Sequence, residues 1–431
     1  YSSYETSLYQ PVYSIVAKNS NSKEQGRFVS VINDTLEKLV KDGINERTIE
    51  AGINYYEFKY READYGPYPK GLMYYLTMMD SWLYDETKPF IHIEVGDTFD
   101  ELKKDARNGY FEKLIKEYLL DNNHKSIISL VPEYGLEKEK EQKEADKLAE
   151  YKSTLTNDEL KELVKKTKEL KEYQDAPSSQ EELEKIPMLE LSDIKREPAK
   201  DYNDVKCVDG IKIVHHNIFT NKIAYINLSF DTKCVPDELI PYMGLLGSTL
   251  SLMDTKNYTY PELTNEININ CGGLATGTAL YSDKVDFSKN TIVYEVKSKA
   301  LYEKVPFVLG MMEEIMYNTR FDDYKRLKEI IARIKSRLEA SLMGQGHSIA
   351  MLECCAQFSE SAYYSDILRG YKYYEFIKKL DEEFEQNRTQ IVEKLNMLVG
   401  YIFNKDNVII SLTADDEGYD CFAKALSAKS C

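Results

Sequence analysis

Apolar positions along the first third of the chain change period several times. Val12 to Lys18 alternates as a strand does, and Asn19 to Ser22 reads as a turn. Phe28, Val31, Ile32, Leu36 and Leu39 then recur at helical spacing and stop at Asp42-Gly43. A second helix is expected from about Asn45 through Ile49, Ile53, Tyr56 and Tyr60. Gly66-Pro67-Tyr68-Pro69 forces a break, and Gly71 to Leu83 is a strongly apolar helix. Phe99 to Leu120 gives more helix, and Ser126 to Val131 (SIISLV) reads as a buried strand.

The pattern returns about 280 residues later. Val293 to Val296 alternates like Val12 to Val16, and Phe307, Val308, Met311, Met312 and Ile315 repeat the first helix. Tyr324 to Ala340 repeats the second, and Gly344-Gln345-Gly346 takes the place of the Gly-Pro break. Ile349 to Phe358 is again an apolar helix, and Val408 to Leu412 reproduces Ser126 to Leu130. Element order, glycine break and closing strand agree, which indicates an internal duplication. The second copy carries extra sequence in front, Lys206 to Asn290. It contains strands at Ile211 to Phe219 and Ile223 to Phe230, a helix over Pro241 to Met253, and a Gly-rich segment, Cys271 to Thr278. The matching part of the first copy is expected upstream of Tyr1, so the chain reads as an internal fragment. Mixed strands and helices with hairpin-like pairs make each body α+β.

Between the copies lies a charged stretch, Gly135 to Pro187. Leu136 to Tyr151 is mixed Glu and Lys with little apolar content. Thr156 stands three residues before Glu159, the spacing of a capping box, and Leu160, Leu163, Val164, Thr167 and Leu170 form a narrow apolar stripe. Asp175-Ala176-Pro177-Ser178-Ser179 ends it. Two charged helices folded back as a hairpin connector are expected, with a disordered tether as the alternative.

Bulk composition narrows the partners. A chain of 431 residues calls for two or three domains, and 42% hydrophobic content supports real cores. Lys+Arg of 56 against Asp+Glu of 73 gives −17, which argues against nucleic acid because phosphate binding needs a basic face. The 7 cysteines contain no C-x-x-C and read as reduced, intracellular thiols; a cytoplasmic location is expected. No apolar run approaches the roughly 20 residues of a membrane span.

Candidate chemistry is sparse. The histidines are His92, His124, His215, His216 and His347. His215 and His216 are adjacent on an expected strand, so they point to opposite faces and cannot share a metal. Neither H-E-x-x-H nor H-x-x-E-H occurs, and zinc needs three or four clustered ligands. Cys354-Cys355 on an apolar helix reads as core packing. Gly272, Gly273 and Gly277 do not run strand–glycine–helix to a Lys-Ser/Thr ending, so a turn or bulge is preferred over a phosphate loop. Gly344-Gln345-Gly346-His347-Ser348 reads as a helix–helix turn. Tyr65-Gly66-Pro67-Tyr68-Pro69 reads as a rigid corner rather than an aromatic peptide site.

Taken in order, READYGPYPKGLMYYLTMMDSWLYD, NNHKSIISLVPE, the charged helices, SDIKREP, HHNIFTN, GSTLSLMDTKNYTYPEL, CGGLATGTA, GQGHSIA and NVIISLTAD resemble the presequence protease branch of the insulinase-type zinc peptidases. The resemblance covers the whole chain. It implies four related α+β domains, each an antiparallel sheet packed with helices, joined as two halves by a helical hairpin and closing around a chamber that degrades unfolded peptides. Residues 1–133 would be most of the second domain, 134–187 the hairpin and 188–431 the third domain. The first domain, with its inverted zinc motif H-x-x-E-H, and the fourth would lie outside this chain, and with them the zinc. Gly244-Leu245-Leu246-Gly247-Ser248-Thr249-Leu250-Ser251 falls where the family has G-x-x-H-x-x-E-H. Gly247, Leu250 and Ser251 replace His, Glu and His, so no catalytic or metal residue carries over. Substrate-binding residues are not assigned. The resemblance implies a chamber wall and hinge without activity of its own. The alternatives are a non-catalytic structural or peptide-binding relative and, further off, a self-sufficient two-domain binding protein.

Overall fold

The computed structural model describes residues 2–18, 20–197, 202–286 and 288–429. Asn19 of the expected turn, the last proline of SDIKREP and Cys431 lie outside them. The first copy opens with a hairpin, β1 (Ser2–Glu5) and β2 (Val12–Ile15), paired antiparallel with Ser2 opposite Ile15. Helices α1 (Gln25–Asp42), α2 (Glu46–Glu62), α3 (Lys70–Trp82), α4 (Gly96–Asp105) and α5 (Tyr110–Leu114) follow, α5 continuing as a π turn over Ile115–Leu120. Each start and stop has a local cause. Gly43 turns the chain out of α1 at φ +80°, which a side chain would resist. Asn45 accepts from the Thr48 N–H and caps α2.

The charged stretch forms α6 (Leu136–Thr154), α7 (Asn157–Asp175) and the short α8 (Gln180–Leu183). The Thr156–Glu159 capping box is present, so a disordered tether is excluded for this part. The apolar stripe of α7 is not packed: Leu163, Val164 and Leu170 are all exposed.

The second copy, with its front portion, comprises β3 (Asp204–Val208), β4 (Ile211–Asn217), β5 (Ile223–Asp231), α9 (Ile240–Thr249), α10 (Tyr260–Asn270), β6 (Leu274–Ser282) and β7 (Asn290–Leu301). It continues with α11 (Val305–Asn318), α12 (Tyr324–Gly344), α13 (Gly346–Cys355), α14 (Glu360–Arg369), α15 (Tyr371–Glu382), α16 (Phe384–Ile402), β8 (Val408–Ala414) and α17 (Asp416–Ser427). Hairpin, two helices, glycine break and helix thus recur in the order of the first copy.

Contacts divide the chain into two compact units, one of residues 1–16, 35–121 and 201–431, the other of 17–34 and 122–200. The sheet of the first unit runs β3-β4-β8-β5-β7-β6. Expected antiparallel throughout, it has one parallel pair, β4 with β8, because β8 enters between two strands that precede the helical run. Ile213, Ala224, Ile226, Val296, Ile410 and Leu412 fill one face and are almost wholly buried. Helices α9, α11, α12 and α16 contribute Met243, Leu246, Met312, Ile331 and Leu395 to the same core.

Two expectations fail. Ser126 to Val131 is neither strand nor buried: Ile128 is 79% and Leu130 95% exposed, and no described strand pairs with it. A strand needs partners for its N–H and C=O groups, and without them this backbone remains solvated. Cys354 is exposed and Cys355 only half-buried, because α13 buries no residue. Apolar content does not specify burial when no element covers the helix.

Candidate functional site

The position where the resemblance calls for a zinc motif is a closed helix–strand contact. Helix α9 begins with Pro241 at its first turn and carries Gly244 and Gly247 on consecutive turns. Both glycines permit close approach. A Cβ on Gly244 would stand 2.8 Å from the Tyr373 ring, and one on Gly247 would stand 3.1 Å from the Gly277 Cα. Thr276 Oγ1 donates to the Gly247 carbonyl at 3.0 Å, tying β6 to the helix. Leu250 is fully buried and Ser251 half-buried. A histidine at 247 would have no space for its ring, and Leu250 offers no proton-transfer group. These residues do not fit zinc. The described residues also contain no group of three or more His, Cys, Asp or Glu able to hold a metal ion.

The Gly-rich segment runs helix–glycine–strand, from α10 to β6, the reverse of a phosphate loop. Gly273 turns the corner at φ +121°. Gly344 to Ser348 is the expected helix–helix turn between α12 and α13. Tyr65 to Pro69 forms the expected corner, with Gly66 at φ +60° and Tyr65 set edge-on to Tyr74 at 6.0 Å.

Adjacent His215 and His216 point to opposite faces of β4. His215 is fully buried on the core face. Lys206 Nζ lies 3.0 Å from its Nδ1, so that nitrogen accepts and Nε2–H donates to the Ala414 carbonyl at 3.0 Å. His216 sits between the Tyr202 carbonyl at 3.0 Å and Ser411 Oγ at 3.1 Å. Both rings have partners and neither is a free base.

The second face of the sheet is polar. Its centre is Glu295 on β7, only 5% exposed, which accepts from Asn227 Nδ2 at 2.8 Å and Tyr281 Oη at 2.9 Å and pairs with Lys297 at 2.6 Å. Burial alone would raise the Glu295 carboxyl. Lys297, Asn227 and Tyr281 outweigh it and hold the group below its ordinary range. A carboxylate so saturated stays charged and serves as a structural acceptor rather than an acid. Tyr281 and Lys297 leave donors at the surface of a hydrogen-bonding wall.

Sequence reasoning missed an acid pair. Asp366 on α14 is fully buried, with Lys372 Nζ 3.2 Å from its Oδ2. Glu353 on α13 has its carboxyl raised, chiefly by its hydrogen bond to Asp366, so the two share a proton. A Cβ at Gly370 would overlap Asp366 Oδ1. The three residues meet only because α13, α14 and α15 pack together, and nothing in their spacing announces it.

Residues 130–380, more than half of the chain, match the family described as associated with peptidases of the M16 class, subfamily C. The chain belongs to that family. Protein HypA of Clostridium perfringens is 38% identical over 97% of this chain and 43% of its own length. Presequence protease 1, chloroplastic/mitochondrial, of Arabidopsis thaliana is 28% identical over 97% of this chain and 39% of its own length. Presequence protease, mitochondrial, of Yarrowia lipolytica is 25% identical over 92% and 39%. This peptidase-associated chain therefore spans about two-fifths of the length of these relatives. A conserved protein of Enterococcus faecalis V583 matches over 52% of each chain at 13% identity and a TM-score of 0.39, too low to support an argument about fold. No described helix is long and apolar enough to cross a membrane.

Proposed function

We propose that this chain is the middle part of a zinc-dependent oligopeptidase that degrades unstructured peptides. The observation that carries the reading is the family match over residues 130–380, together with relatives named presequence proteases along nearly the whole chain. Residues 1–133 are assigned to the second peptidase-like domain, 134–187 to a hairpin hinge and 188–431 to a third domain with a degenerate zinc motif. The polar sheet face around Glu295, Asn227 and Tyr281 is the part of the chain suited to wall a peptide chamber. It offers hydrogen bonds without a charge free to capture one particular side chain.

No catalytic role is assigned within the chain. A zinc-bound water activated by a glutamate would be supplied by polypeptide outside it, and the packing of Gly247 on Gly277 supports that division. The proposed partners are unfolded peptides and the first and fourth domains, with no nucleic acid or membrane. The proposed compartment is the cytoplasm, on the strength of the unpaired thiols.

Elemental analysis combined with cleavage of a quenched, unstructured peptide tests the assignment. A protein extended to the full length of the relatives should bind one zinc and lose cleavage on chelation, and this chain alone should do neither. Stoichiometric zinc with chelator-sensitive cleavage by the chain alone would overturn the placement of the active site. An inert full-length protein would leave the non-catalytic, peptide-binding alternative.

A further inference from the structure

Helix α2 has two sets of partners within its compact unit. On one side Glu57 pairs with Lys103 of α4 and with Arg61 at 2.8 Å, and Tyr60 meets Phe99 edge-on at 5.6 Å. On the other side it meets the second copy. Arg47 pairs with Glu266 of α10, and Asn265 Nδ2 donates to Thr48 Oγ1 at 3.2 Å. Farther along, the Phe58 ring occupies the space that a side chain on residue 272 would need. One turn later both Glu62 oxygens lie 2.6 Å from Lys299 Nζ.

This second contact is built, not incidental. The Glu62 side chain is 5% exposed and that of Lys299 27%, so the pair is largely withdrawn from solvent. Lys299 also fixes the slot, because its carbonyl accepts the Gly272 N–H at 2.7 Å. Tyr225 of β5 hydrogen-bonds to the same carboxylate, and burial together with Glu62 pushes its phenol upward. An aromatic ring and a carboxylate four residues apart on one helix face therefore meet a glycine corner, an ammonium and a phenol.

We propose that Phe58 and Glu62 form a separable clasp that joins the two copies of the repeat directly, without help from the charged connector. The receptor, Gly272 with Lys299 and Tyr225, takes a helix that presents an aromatic residue and an acid at i and i+4. Any side chain at 272 displaces the ring. Loss of the lysine leaves a carboxylate withdrawn from water with no cation beside it, a state that favours release of the helix. The clasp requires only these contacts and holds whether or not the whole protein is a peptidase.

The test is to nick the full chain by limited proteolysis within the exposed stretch 176–197 and to follow the fragments by size exclusion. The nicked wild type should elute as one particle. Nicked Gly272→Leu and Lys299→Glu should separate, with fragment association at least about tenfold weaker. The charge exchange Glu62→Lys with Lys299→Glu should restore co-elution, which a merely misfolded second copy could not do. Separation of the nicked wild type, persistence of a single particle in both variants, or failure of the charge exchange to restore association would each overturn the clasp.

Discussion

Leu130 and Leu412 close two similar segments, Ser126 to Leu130 and Val408 to Leu412, in two copies of one repeat. Leu130 is 95% exposed, whereas Leu412 is fully buried. The difference extends to the whole of each copy. Only Ala51, Ile53, Ala63 and Phe99 are buried among the described apolar residues of the first, while the second fills a continuous core from Ile211 to Ala425. Local sequence is comparable, and so is the order of elements. What differs is company. β8 lies between β4 and β5, whereas Ser126 to Val131 has neither neighbour among the described strands. Hydrophobic patterning states which face a segment would bury; a partner decides whether it does.

The sharpest way to break this comparison is paired truncation. Leu412→Ala should destabilise the second copy by about 3 kcal/mol through the cavity it leaves. Leu130→Ala should change stability by less than about 0.5 kcal/mol, as at other exposed sites. Urea denaturation of each variant distinguishes them, and equal effects would mean that Leu130 is packed in solution. Next in size is the helix–strand contact on α9. Gly247→Ala places a methyl 3.1 Å from Gly277 and should cost about 1–3 kcal/mol by overpacking, read as a lowered thermal midpoint.

Acid should act on the second copy. Glu295 is held below its ordinary carboxyl pKa in the folded state. Its contribution is therefore complete above 4.5, the unfolded value, and is lost as pH falls through the depressed folded value. The wild-type midpoint should fall below pH 4.5 more steeply than that of Glu295→Gln, and parallel profiles would contradict the assignment. Alkali should act on the contact between the copies. Tyr225 is raised above its ordinary 10.0, so its contribution is complete below that pH and fades as pH rises beyond it. Tyr225→Phe should flatten the alkaline limb of the same profile. The smallest effect is expected in the connector. Thr156→Ala removes the α7 cap and should cost about 1 kcal/mol of helix stability, seen as a small loss of helical circular dichroism.

Helices were legible because their signals are local. Asn45, Thr156 and the Gly-Pro and Gly-Gln-Gly breaks act within a few residues, and the chain obeys them. Ser126 to Val131 and Cys354 misled because burial is a property of neighbours, and those neighbours are set by tertiary packing. The loss of the zinc motif was readable at Gly247, Leu250 and Ser251. Its physical sequel, a helix settled against Gly277, was not. The polar centre at Glu295, the shared proton of Glu353 and Asp366, and the Phe58–Gly272 slot each join residues from separate elements. No spacing along one segment could have announced them.

The place of β8 in the sheet bears on how the chain is made. Synthesis yields β3 to β7 first, then the long run of helices from α11 to α16, and only afterwards Val408–Ala414. Until that strand emerges, β4 has a partner on one side only and β5 is bound only to β7, so two apolar edges stand open on the nascent chain. Open edges of this kind invite pairing with the wrong strand. The late strand thus acts as a timed keystone. The sheet stays in two pieces through most of translation and becomes one at the end.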